Sequence, residues 1–223
     1  MIEHILWDFE ETLFDTSPAR TFAMSKTMAE LGFSIPLNTI DGLIRQSNDR
    51  CIECLGKRYP FSEQEVREKF LAHYAAIPYK NQILYPGVIE VCSWITQRGG
   101  SNWIITNREP DDCRQFLREH AADSYFDGIS TRPAAGTDEI AEALMALVDP
   151  NRLDPQSVLV VAHQGHIIQA ARQVGLKTCQ FGAGERVTNG NWQVGHYGQL
   201  LTRLRQTSQK TDESWARFPD HEK

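Results

Sequence analysis

The sequence predicts an α/β protein, a doubly wound parallel sheet with a small all-helical domain inserted near its start. Three observations predict it. Short apolar runs at residues 3–9, 102–106, 157–161 and 177–181 alternate with helix-like segments. Residues 17–80 carry amphipathic helical spacing with no strand-like alternation. Asp8, Thr106 and His163 each fall at the end of an apolar run, the sheet edge at which open α/β folds place their ligands.

Each element has a local reason. Ile5, Leu6 and Trp7 make a short apolar strand that leads into Asp8. In the inserted region, Met24, Met28 and Leu31 share one face of a helix over residues 21–31, and Gly32 stops it. Ser62, three residues before Glu65, opens a helix that runs towards Ala76. Tyr85-Pro86-Gly87 ends the insertion. A helix over 88–97 stops at Gly99-Gly100, before a buried strand at 102–106; Pro110 starts a helix to about residue 120, and 126–130 is a weak strand. Thr137 starts a helix whose Asp138 and Glu139 lie at the positive end of its dipole. Ser157-Val-Leu-Val-Val161 is the clearest buried strand, and a helix over 167–174 and a strand over 177–181 follow it. The partition is therefore an α/β core of residues 1–16 and 81–205, a helical insertion of 17–80, and a polar, mobile tail of 206–223 in which Trp215 and Phe218 could dock.

Composition narrows the function classes. The 223-residue chain has a formal net charge of -6 and no long Lys/Arg run, which argues against nucleic acid or an anionic membrane as partner. No apolar stretch approaches the roughly 20 residues needed to span a bilayer. The start lacks a basic region followed by an apolar run, so no secretory signal is expected. Five scattered cysteines suit reduced thiols in the cytoplasm. Cys51 and Cys54 have redox-motif spacing but lie in the helical insertion, where packing explains them better.

The segment Asp8-Phe9-Glu10-Glu11-Thr12-Leu13-Phe14-Asp15-Thr16 resembles the opening motif of the haloacid dehalogenase superfamily, in particular its phosphoglycolate-phosphatase-like branch. The resemblance extends over nearly the whole chain. Tyr85-Pro86-Gly87-Val88 stands where that branch resumes its Rossmann-like core after a helical cap. Ile104-Ile105-Thr106-Asn107-Arg108 matches the second motif, Arg132-Pro133 the usual Lys-Pro of the third, and residues 158–175 the strand and helix of the fourth.

The resemblance implies a phosphate-ester site. Asp8 would be the nucleophile that forms an aspartyl-phosphate, and Glu10, where the family has Asp, the acid/base. Thr106 and Asn107 of the second motif would face the phosphate with backbone amides of the Asp8 loop, and Arg132 would replace the neutralising lysine with a planar fork. The family holds magnesium with acids of the fourth motif, where this chain has His163 and Ile167, and no Asp or Glu occurs between residues 155 and 184. The metal set that remains is Asp8, the Glu10 carbonyl and His163, so no cofactor is expected to bind tightly. His166 and His163 also raise a transition-metal reading, against a neutral histidine bonded within its loop. A phosphate dianion about 4 Å from a bare Asp8 would feel roughly 8 kcal/mol of repulsion at an effective dielectric of 20.

Three readings follow. The first is a phosphatase-family protein weakened or inactive in magnesium-dependent hydrolysis, which binds a small phosphorylated molecule or serves a protein partner. The second is an active but atypical phosphomonoester phosphatase using Asp8 and Glu10. The third is an interaction protein whose cleft is idle.

Overall fold

The computed structural model describes residues 1–182 and 192–215, with side chains through Gln209. The chain divides into two compact units, residues 1–13 with 84–223 and residues 14–83. The sequence placed these borders three residues further into the insertion at either end. Two very short strands, Phe14–Asp15 and Ile83–Leu84, pair there as a ribbon.

In chain order the strands are β1 His4–Asp8, β2 Phe14–Asp15, β3 Ile83–Leu84, β4 Ser101–Thr106, β5 Gly128–Thr131, β6 Val158–Ala162, β7 Lys177–Phe181 and β8 Trp192–Val194. The helices are α1 Ser17–Glu30, α2 Leu37–Ile44, α3 Asn48–Gly56, α4 Glu63–Ala75, α5 Val88–Thr96, α6 Pro110–Glu119, α7 Thr137–Val148, α8 Gly165–Gln173 and α9 Tyr197–Trp215.

Six strands form one parallel sheet in the order β5-β4-β1-β6-β7-β8. Leu6 stands opposite Trp103 on one side and Val160 on the other. The chain builds outward from β1 through β4 and β5, then crosses to β6, so the strand order reverses beside β1. Such a reversal opens a crevice at the carboxyl edge, and Asp8 ends β1 there.

Alternation along β1 sends neighbouring side chains to opposite faces. Leu6 joins a buried cluster with Ile140, Leu144, Val160 and Ile168, under α7 and α8. Trp7 meets Tyr197 of α9 edge-on, with ring centroids 5.5 Å apart. Its indole N–H donates to Asn102 Oδ1 at 3.1 Å, and the Asn102 amide donates to the Cys92 carbonyl of α5, so this buried polar pair is satisfied.

The helical unit has its own core of Met24, Met28, Ile40, Ile44, Ile52, Val66 and Phe70. Ser62 caps α4 by accepting from the Glu65 amide, and Ser47 caps α3 in the same way. All five cysteines are free, and burial pushes the Cys51 thiol up to about 12.

Several boundaries differ from the sequence reading. The first helix begins at Ser17, with Pro18 in its opening turn, rather than at residue 21. The weak strand shifts to Gly128–Thr131 because a 3₁₀ turn occupies Asp123–Tyr125. Strand β8 and helix α9 have no sequence counterpart, and α9 runs through residues expected to begin a mobile tail. The Trp215 side chain and Phe218 lie outside the described residues. Among the described residues no helix is long and apolar enough to cross a membrane.

Gly100 enters β4 against the main chain of residue 3. A Cβ there would lie 1.8 Å from the Glu3 carbonyl oxygen, whereas one on Gly42, in α2, meets nothing within 4 Å. Urea denaturation should find Gly100→Ala destabilised by about 1–3 kcal/mol, and Gly42→Ala stabilised by up to about 1 kcal/mol through helix propensity.

Candidate functional site

The carboxyl edge of the sheet gathers four loops. Asp8 ends β1, Thr106 ends β4, Arg132 follows β5 and His163 follows β6. Parallel pairing sets Asp8 opposite Ile105 and Thr106 opposite Thr131, so these ends lie side by side.

Asp8 and Arg132 form a buried ion pair. Arg132 Nη2 donates to Asp8 Oδ1 at 2.8 Å, and the side chains are 2% and 1% exposed. Two further bonds place the arginine: its amide donates to the Thr106 carbonyl at 2.7 Å, and its Nη1 to the Pro133 carbonyl at 2.9 Å. Arg132 Nε is buried without a partner. Burial pushes the Asp8 carboxyl up from the ordinary carboxylate range, against the downward pull of Arg132.

The loop after Asp8 turns through Glu11, whose φ is 54°, and is closed by the Leu13 amide on the Phe9 carbonyl at 3.0 Å. This turn brings the Thr12 hydroxyl back to Asp8 Oδ2 at 3.5 Å. The same hydroxyl accepts from the His163 amide at 2.9 Å, joining the first and fourth motifs. The Thr12 carbonyl accepts from the Tyr197 hydroxyl at 2.6 Å. Tyr197 is fully buried and stacks on Phe181, with centroids 4.4 Å apart and planes 2° apart.

Glu10 does not stand alone in the cleft. Arg108 Nε meets Glu10 Oε1 at 2.5 Å, and Arg108 Nη1 pairs with Asp112 of α6. The same guanidinium lies over the rings of Phe116 and Phe9, 4.8 and 5.5 Å from their centroids. Thr106 is buried, and its hydroxyl accepts from the Arg108 amide at 3.2 Å. Asn107, in contrast, is exposed.

His163 Nδ1 lies 3.0 Å from the Phe181 carbonyl. A carbonyl only accepts, so Nδ1 carries the proton and, in the neutral ring, Nε2 keeps the lone pair. Gly182 makes room for this ring. Its φ is +82°, and a Cβ there would lie 3.1 Å from His163 Nδ1. Ile167 is buried in the apolar cluster with Leu6, Ile105 and Val160. His166 Nε2 is buried with no hydrogen-bond partner, and burial together with Arg132 holds the His166 pKa below its usual value. Among the described residues no group of three or more His, Cys, Asp or Glu could hold a metal ion.

Sequence reasoning missed Arg108, Thr12 and Tyr197 as members of this constellation, and it named His166 only in the transition-metal reading. Arg108 and Thr12 stood inside recognised motifs but had no assigned partner. Tyr197 had no signal, because its bond to Thr12 spans 185 residues.

Comparison with known proteins bears on this site. Residues 5–181 match the family model for haloacid dehalogenase-like hydrolases. The phosphoglycolate phosphatase of Nitrosococcus oceani is 31% identical over 135 residues, which are 56% of this chain and 59% of that protein. The chain thus covers less than two thirds of that relative's length. The phosphoglycolate phosphatase of Synechococcus elongatus is 24% identical over 178 residues, 78% of this chain and 81% of that one. Among solved structures, a haloacid dehalogenase-like hydrolase from Streptococcus pneumoniae superposes with a TM-score of 0.74 at 17% identity, covering 91% of this chain and 98% of that one. CbbY from Rhodobacter sphaeroides, solved in complex with phosphate, gives 0.69 at 16% identity, with 90% and 96% covered. At these identities the likeness to the solved structures is one of fold.

Arg132→Met should cost about 3–5 kcal/mol in urea denaturation, because it leaves the Asp8 charge buried and unpaired. The double variant Asp8→Asn, Arg132→Met should recover most of that loss. Without Arg132, burial alone raises the folded-state pKa of Asp8. Its protonated form is then favoured further than in wild type, where it is already raised, so the deficit of Arg132→Met relative to wild type grows as pH rises above 3.8.

Proposed function

The chain belongs to the haloacid dehalogenase-like hydrolases, and from that premise we propose that it binds a small phosphorylated molecule while its magnesium-dependent hydrolysis is severely weakened or lost. The carrying observation is the buried Asp8–Arg132 pair. The carboxylate that would attack phosphorus is held by an internal cation, and one of its oxygens accepts from Nη2.

Members of this family typically use magnesium, which wants several hard oxygen ligands. The residues present do not fit it. At the two fourth-motif positions the chain offers a histidine whose Nδ1 faces a carbonyl and an isoleucine packed in the core. Asp8 Oδ1 is already taken by Arg132. The remaining set of Asp8, the Glu10 carbonyl and His163 leaves magnesium one carboxylate oxygen, one carbonyl and a nitrogen of the wrong hardness.

Charge gives the same reading. A bare Asp8 would repel a phosphate dianion by roughly 8 kcal/mol, and the Arg132 guanidinium offsets part of that. Binding survives such a balance better than attack does, since attack must free the carboxylate from Arg132. Glu10 is poorly placed as a general acid, because its Oε1 is engaged by Arg108. The rival reading, an atypical phosphatase working through Asp8 and Glu10, requires both ion pairs to open. Thr106 and the amides after Asp8 remain the groups that would face the ligand's phosphate. The free thiols suit a reducing compartment, and we place the protein in the cytoplasm on that ground.

Phosphate release from a panel of small phosphate esters, in EDTA, magnesium, manganese or zinc, tests the reading. Wild-type protein should show no release that Asp8→Asn abolishes. Titration with orthophosphate in EDTA should raise the melting temperature, and Asp8→Asn should bind it about tenfold more tightly or better, because the like charge is gone. Turnover in wild type that vanishes in Asp8→Asn would establish an active phosphatase instead.

A further inference from the structure

The phosphate-binding reading of the Asp8 site is the premise here, and the residue at issue comes from the far end of the chain. The peptide between Thr12 and Leu13 is pinned at both of its polar ends. Its carbonyl accepts from the Tyr197 hydroxyl at 2.6 Å, and its amide donates to the Phe9 carbonyl at 3.0 Å. A peptide unit is planar, so two such bonds fix its orientation and, with it, the turn after Asp8. Thr12 also sends its hydroxyl towards Asp8 Oδ2, and the same oxygen accepts from the His163 amide.

That turn is strained. Glu11 stands at φ 54°, in the left-handed region that residues with a Cβ seldom enter. Such a conformation persists only where its surroundings over-determine it. Thr12 is fully buried, and a buried carbonyl that lost its donor would be driven towards another partner. The donor itself sits in a rigid frame. The Tyr197 ring stacks on Phe181 and meets Trp7 edge-on, and Phe181 meets Tyr85 with centroids 4.9 Å apart. Gly87, at φ 91°, permits this approach, since a Cβ there would lie 2.9 Å from Tyr197 Cβ. Burial pushes the phenol's pKa well above its usual value, so the hydroxyl keeps the proton it donates.

We propose that Tyr197 is a positioning residue for phosphate binding, whose hydroxyl holds the strained Asp8 turn in the form that presents its amides to the ligand. It touches no ligand and acts through Thr12 alone. The start of α9 thereby sets the shape of a loop 185 residues earlier in the chain.

Calorimetric titration of the full chain with orthophosphate in EDTA tests this in wild type, Tyr197→Phe and Leu200→Ala. Tyr197→Phe keeps the ring and removes the hydroxyl, and should weaken binding about tenfold. Leu200→Ala loosens the same helix without removing the bond to Thr12, and should bind as wild type does. Glycine tolerates a left-handed φ, so in a Glu11→Gly background the effect of Tyr197→Phe should shrink to about threefold or less. A residue that only packed α9 would show no such coupling. Without ligand, exchange of the His163 amide relative to that of Val160 should run about tenfold faster in Tyr197→Phe and keep its wild-type ratio in Leu200→Ala. Orthophosphate binding that Tyr197→Phe leaves intact, or weakens equally in both backgrounds, overturns the positioning role alone. Wild type that binds no orthophosphate overturns the phosphate-site reading. The ligand-free exchange ratio then decides the hold of Tyr197 on the loop, and a ratio unchanged in Tyr197→Phe overturns that as well.

Discussion

The ion pair between Asp8 and Arg132 is the constraint around which this site is organised. Two charges taken out of water lose several kcal/mol each, and their attraction repays that only when geometry and further hydrogen bonds are good. Here the surroundings supply them. The arginine backbone is bonded to Thr106, its second terminal nitrogen to the Pro133 carbonyl, and the aspartate's other oxygen to Thr12. Thr12 is in turn held from two sides, by the His163 amide and by the Tyr197 hydroxyl. Loops after β1, β4, β5 and β6 are thereby tied to one neutral centre.

That neutrality bears directly on chemistry. A phosphoryl-transfer site needs positive charge that stabilises the transition state without silencing the nucleophile. A bound metal ion would supply such charge. A guanidinium bonded to the Asp8 carboxylate at 2.8 Å stabilises the ground state of that carboxylate first. Arg108 does the same for Glu10, with aromatic rings of Phe9 and Phe116 walling the pair. Asp8 and Glu10 are thus each engaged by an arginine before any ligand arrives.

Much of this was legible in the sequence, and the limits have physical causes. Asp8 could be placed because a run of apolar residues leading into an acid reads as a buried strand with a functional end. His163 could be placed because it follows the apolar run at 157–161, and Ile167 only through the resemblance of this stretch to the family's fourth motif. Arg132 could be placed only by its order among the motifs, since the strand before it is short and half-buried. The Arg108–Glu10 pair spans 98 residues and the Tyr197–Thr12 bond 185, and periodicity carries no information at such separations. Helix α9 was overlooked because its polar C-terminal half resembles a tail. Its buried hydrophobics among the described residues, Tyr197, Leu200 and Leu204, lie in its first turns, with buried Ser208 beyond them.

Packing ties the residues after β6 to the rest of the fold. Ile167 lies fully buried among Leu6, Ile105, Val160 and Ile168, so its side chain contributes to the sheet–helix interface rather than to the cleft. A carboxylate at that position would be an unpaired charge in an apolar core unless α8 turned it outward. The desolvation that raises Asp8 would act on the new acid too, with no arginine to oppose it. His163 is anchored separately, by a carbonyl of β7 that itself belongs to the Phe181–Tyr197 stack. Reinstating acids at positions 163 and 167 therefore perturbs two packed regions at once. Hydrophobic burial at Ile167 and charge pairing between Asp8 and Arg132 are thus features of adjoining parts of one sheet edge.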